Sequence, residues 1–335
     1  MPIRRDRKRV ERSVAQGDAC VRMMFSSLTL QKPLRRFIAS LISLTVFCVA
    51  ALLFTCGFLF AERPLRYMHG GLWAAALVLL LVNALLQFPL TLTDRRLDAC
   101  IAVRRRLGKA IDTVAPLVAA IGTLTLVGGA FTLALRAGQA LRATSVAADV
   151  RDYTGMCVTA ALTGILLLIG AIGLCLRCFA RGRYPAAEIL LHLPLPLGCV
   201  TFSLYLYFDK SVPRNASLKQ ATSLAFLLLS LLLLLCIREL VGAPRPLLAV
   251  LLARAAVPYT GALAIGLFFL GILRKQILVS FTVCLFLAFL SFYIYIVFLA
   301  PTAGFMQGHP RTGNGAAGAD DTAHGTPDAD TPKEV

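Results

Sequence analysis

Glu188 and His192 stand four residues apart inside an apolar stretch, a spacing that puts both on one face of an α-helix. A carboxylate and an imidazole so placed can hydrogen-bond to each other or relay a proton. With further ligands they could hold a metal ion. The competing reading is structural, with Glu188 at the membrane interface beside Arg183 and His192 a packed polar residue. No other histidine or acidic residue falls inside an apolar run. A zinc site needs three or four protein ligands, so no metal or other cofactor is expected.

Asn83 and Gln87 repeat the four-residue spacing in another apolar run. Amides in membrane helices bond to neighbouring helices, contributing about 0.6–2 kcal/mol each, so packing is their expected role and substrate contact the alternative. A third group lies in the polar turn Phe208–Lys219. There Pro213 disfavours helix, and Ser217 with Gln220 reads as a capping box opening the next helix. Asp209 is expected to pair with Arg214 or Lys210 at the outer face. The functional alternative makes Asp209 the mouth of a cation pathway leading inward past His192, about 25 Å away along a helix.

Weaker signals complete the inventory. Cys175 and Cys178 form a lone C-x-x-C, which without a second pair is weak evidence for metal or redox work; palmitoylation is equally open. Asn215-Ala216-Ser217 matches a glycosylation sequon but lies close to the membrane. Pro89, Pro194, Pro196 and Pro258 are positions where helices could break, as they do around transporter sites. The chain has no P-loop, no G-x-S-x-G and no H-E-x-x-H, so no catalytic residue is assigned.

The elements that must position these residues are membrane helices. Of 335 residues, 58% are hydrophobic and 15% charged, against about 45–50% and about 25% in soluble domains. The excess is gathered into about eight runs, near 37–61, 72–92, 113–135, 155–179, 186–207, 220–237, 255–273 and 277–300. The fold class is therefore all-α, a polytopic transmembrane bundle. Arg136–Thr154 is expected to be a polar loop with at most a short surface helix.

The charge of +17 has a direction. With the N-terminus inside, 24 of the 34 Lys and Arg fall on the inner side and 10 outside. This predicts N-in and C-in in the cell membrane. Residues 1–36 form a basic tail, too long in its charge for a signal peptide, and Met23-Met24 offers a second start. Residues 301–335, rich in Gly, Ala, Thr, Asp and Pro, are expected to be disordered. The expected partners are an anionic inner leaflet, attracted at about 1 kcal/mol per basic residue, and a membrane protein or a second copy of the chain. No nucleic-acid module accompanies the charge.

Phe208-Asp209, Ser211-Val212-Pro213, Asn215-Ala216 and Lys219, followed by Arg238-Glu239-Leu240 and Gly242-Ala243-Pro244-Arg245-Pro246, resemble the wording of a group of uncharacterised clostridial multi-pass membrane proteins. The departure is Ser217-Leu218, where that group tends to have Pro-Asn. The match covers about 40 residues. It implies membrane location and brings no activity. The functional expectation is a non-enzymatic scaffold, regulator or assembly partner. The alternative is a small-solute or ion transporter, with the eight runs divided four and four.

Overall fold

The computed structural model describes residues 32–59, 70–92, 109–179, 185–209, 217–241, 246–273 and 277–299. Nine α-helices carry almost all of them, and no strand occurs among the described residues. They are α1 (Lys32–Leu59), α2 (Gly70–Leu92), α3 (Lys109–Ala143), α4 (Ala147–Phe179), α5 (Pro185–His192), α6 (Pro194–Phe208), α7 (Ser217–Leu240), α8 (Pro246–Leu273) and α9 (Ile277–Ile294). A five-residue π turn, Tyr295–Leu299, closes α9. The two tails, and the residues Lys210, Arg214 and Arg183 invoked above, lie outside the described residues.

Seven helical stretches are long and apolar enough to cross a bilayer, α5 and α6 counting together as Ala186–Phe208. The first expected run falls on α1, whose described apolar stretch is Leu41–Gly57. Large apolar side chains point outward along these helices, among them Leu52, Leu81, Leu85 and Ile172. Such a surface is stable against lipid and not against water. The chain is a polytopic helical membrane protein.

Packing follows a circuit in which α8, α9, α3, α4, α6 and α7 each lie against the next, and α7 returns to α8. The α1–α2 hairpin covers the outside of α8. Lipid tails are as apolar as leucine, so close van der Waals approach, not water exclusion, must join membrane helices. Glycines on α3 and α4 provide that approach. A Cβ added at Gly122 would lie 2.8 Å from Phe289 Cβ on α9. One at Gly173 would lie 2.7 Å from the main-chain oxygen of Leu191, and one at Gly170 2.9 Å from Leu195 Cβ.

Hydroxyls are spent inside the bundle. Thr123, Thr163, Thr222 and Thr260 each donate to the carbonyl four residues back. Thr260 Oγ1 also meets Ser291 Oγ at 2.6 Å, and Thr163 Oγ1 meets Thr201 Oγ1 at 2.9 Å. Tyr259 on α8 donates to Ala221 O on α7 at 2.8 Å. Near mid-span, Phe202, Phe226 and Phe286 from α6, α7 and α9 stack with centroids 4.5 and 5.2 Å apart, and all three are fully buried.

Two expectations are corrected here. Residues 136–154 are not a loop: α3 runs unbroken to Ala143 and α4 starts at Ala147, so the two spans continue outward as a helical hairpin turned at Thr144–Val146. The seventh run starts earlier than 255, because α8 begins at Pro246 and carries Arg254 within it. The proposed four-and-four division finds no matching geometry. In the first half α2 packs on α1 and α8 and makes no substantial contact with α3, whereas in the second half α7 packs on α8.

Candidate functional site

Glu188 occupies the first turn of α5, and the same helical face carries His192 one turn deeper. Both are buried. The helix they share is followed directly by Pro194 and Pro196 of α6, neither of which has an amide hydrogen to give. Leu193 between them keeps helical dihedrals, φ −61° and ψ −37°, and its amide still reaches Ile189 O at 3.2 Å. The backbone therefore stays helical through the junction. Pro258 and Pro116 lie inside the continuous helices α8 and α3. Of the four prolines singled out, only the Pro194–Pro196 pair marks a division between helices.

Glu188 does not sit at the interface as a solvated carboxylate. Its Oε1 lies 3.7 Å from Nε of Arg177, which reaches in from the last turn of α4 and is itself buried. His192 Nδ1 lies 2.6 Å from the main-chain oxygen of Glu188. A carbonyl oxygen only accepts, so Nδ1 is the donor of this bond. The ring's Nε2 is buried and has no hydrogen-bond partner among the described residues.

Cys236 and Glu239 from the last turns of α7 and Tyr293 from α9 lie within electrostatic reach of the Arg177 guanidinium, as does Glu188. Cys236 and Tyr293 are buried. Arg177, Glu188 and His192 stand at the end of the bundle that the positive-inside expectation assigns to the cytoplasm. Glu188 and His192 were legible as candidates. Arg177 is not among the candidates, although its place inside the C-x-x-C of an apolar run is a signal that it could turn inward.

Asn83 and Gln87 are buried as well, but in a different seam, where α2 meets α1 and α8. Asn83 Nδ2 makes a long bond, 3.4 Å, to Ser43 Oγ of α1, and its Oδ1 has no partner among the described residues. The two sequence-predicted pairs lie in different seams: α2 packs on α1 and α8, whereas α5 packs on α4, α6 and α7.

At the outer turn, Lys219 holds the structure. Buried at the start of α7, it donates from Nζ to the main-chain oxygen of Asp209 at 2.7 Å. This tie joins the end of α6 to the start of α7 and was missed in the sequence, where Lys219 was read only as part of the turn. The helix does begin at Ser217, whose side chain lies outside the described residues.

The C-x-x-C performs no metal chemistry that the geometry reveals. Cys178 Sγ donates to Leu174 O at 3.2 Å and to Thr113 O at 3.5 Å, and Cys175 and Cys178 are free thiols. Among the described residues no three His, Cys, Asp or Glu come close enough to hold a metal ion. Comparison with protein-family models, with curated proteins and with solved structures returns no match.

Proposed function

We infer that the chain acts in the cell membrane as a non-enzymatic multi-pass protein, a scaffold, regulator or assembly partner working through membrane and protein contacts. One observation carries this reading: the middle of the bundle is filled by the Phe202–Phe226–Phe286 stack. A carrier places its substrate site near the membrane midplane between unwound half-helices. Here three buried aromatic rings fill the contact between α6, α7 and α9, and the Pro194–Pro196 span stays helical through Leu193. The resemblance to the clostridial membrane proteins accords with this location.

A second reading, a small-solute or ion transporter, draws on the ionisable cluster around Arg177, because charged groups inside a membrane are costly to keep. Purified protein reconstituted into liposomes separates the two. With pH- and potassium-sensitive dyes inside, the first reading expects proton and cation flux no greater than in protein-free vesicles, and none altered by Asp209→Asn or Glu188→Gln. A flux that Glu188→Gln abolishes in folded protein makes the chain a transporter.

A further inference from the structure

We propose that the outward extension of α4 is a lipid-contact surface on which Arg151, flanked by Val150, takes the headgroup of an anionic phospholipid in the leaflet opposite Arg177. This goes beyond the scaffold reading and holds equally for a scaffold or a carrier. The end of α6 sets the level of that leaflet. Tyr207 and Phe208 close the helix as an edge-to-face aromatic pair, and Asp209 after them turns to extended backbone at φ −61° and ψ 113°. Aromatic residues gather where hydrocarbon meets headgroups. Phe208 lies against Gly155 of α4, where an added Cβ would come within 2.7 Å of its ring, so Gly155 stands at the same level. Laid inward from Gly155, about 30 Å of hydrocarbon takes up about 20 residues and ends at Cys175, beside the buried Arg177.

What lies beyond Gly155 keeps the lipid-facing side of the helix. Val150, Arg151, Thr154, Val158, Ile165 and Ile172 are all exposed and fall within an arc of about 100° on α4. Val158, Ile165 and Ile172 belong to the hydrocarbon part of that arc. Val150 and Arg151 continue it about 6–8 Å past Gly155, the depth of a headgroup layer about 5–8 Å thick. Charge completes the fit. In the stretch 136–154 the three arginines, Arg136, Arg142 and Arg151, are exposed, whereas Asp149 and Asp152 are half-buried. The surface offered is basic above an aliphatic base, which matches a phosphate above the start of the acyl chains. A guanidinium can donate two parallel N–H bonds to one phosphate. The competing occupant of an exposed helix face is a second copy, but two-fold pairing along α4 would set Arg151 against its own counterpart.

The test places an aliphatic diazirine side chain at Val150, or at Ile165 as the lipid-facing reference. The full chain is reconstituted in nanodiscs of phosphatidylcholine and phosphatidylglycerol in equal amounts. After photolysis, mass spectrometry reads what the carbene met. At Val150 the expected product carries one added phospholipid, with phosphatidylglycerol enriched over the mixture found at Ile165. In Arg151→Gln that enrichment falls to the Ile165 level while the phospholipid adduct remains. If the diazirine variant does not fold, a water-borne carbene reagent on the unaltered chain gives the same reading: Val150 is labelled as little as Ile165 and far less than Ser145 at the turn. Loss of the carbene to water at Val150, labelling of Val150 equal to Ser145, a cross-link to a second copy, or an adduct mixture that Arg151→Gln leaves unchanged each overturns the proposal. The dye-flux assay responds to none of these, so the two readings fail separately.

Discussion

Glu188–His192 and Asn83–Gln87 have the same spacing, the same helical setting and similar burial, yet the two seams that hold them are built differently. Around Glu188 the backbone of α4 comes close, with Gly173 facing Leu191 O, and the buried Arg177 of α4 lies 3.7 Å from the carboxylate. Around Asn83 the bond between helices is a long amide contact to Ser43 of α1. Burial alone therefore does not distinguish the two positions. A charged partner from a neighbouring helix does, because each buried charge is costly to keep.

The comparison is broken or sharpened by four substitutions, taken in order of expected effect. Arg177→Met leaves the Glu188 carboxylate without the cation that faces it. It should cost about 3 kcal/mol or more in reversible SDS unfolding, even for a contact as loose as 3.7 Å. The double variant Arg177→Met with Glu188→Gln should recover at least half of that. If it recovers nothing, the pair is not what ties α4 to α5.

Gly173→Ala comes next. Its Cβ would meet main-chain oxygen at 2.7 Å, an atom that cannot swing aside, so the cost should reach the upper part of the about 1–3 kcal/mol range for overpacking. A melting temperature equal to wild type would show that the seam is looser than described. Asn83→Ala should cost about 0.6 kcal/mol, near the average for hydrogen bonds between membrane helices. A loss as large as that of Arg177→Met would erase the contrast between the seams. Gly128→Ala stands last because its sign is opposite. Nothing lies within 4 Å of the added methyl group, so helix propensity alone should act, a gain of up to about 1 kcal/mol.

Much of the architecture was legible because hydropathy marks solvent, and in a membrane solvent and element coincide. Where they part, the reading failed. Beyond Leu135 the chain becomes polar, which ends the apolar run, but Ala, Gln, Leu and Arg are good helix formers and α3 continues to Ala143. Arg254 ended a run on paper for the same reason and sits half-buried inside α8. The Glu188–His192 face was visible from spacing. Its partner Arg177 was not, since α4 and α5 meet only through tertiary packing that no local pattern encodes. The same holds for Lys219 and its bond to Asp209 O.

The hairpin of α3 and α4 has a mechanical side. At 33 residues α4 is about 50 Å long, against about 30 Å of hydrocarbon, and it runs as one rod from the exposed turn near Ser145 to the guanidinium of Arg177. The excess of about 20 Å must tilt within the bilayer or project beyond the hydrocarbon, and along the hairpin α3 is the neighbour it packs on.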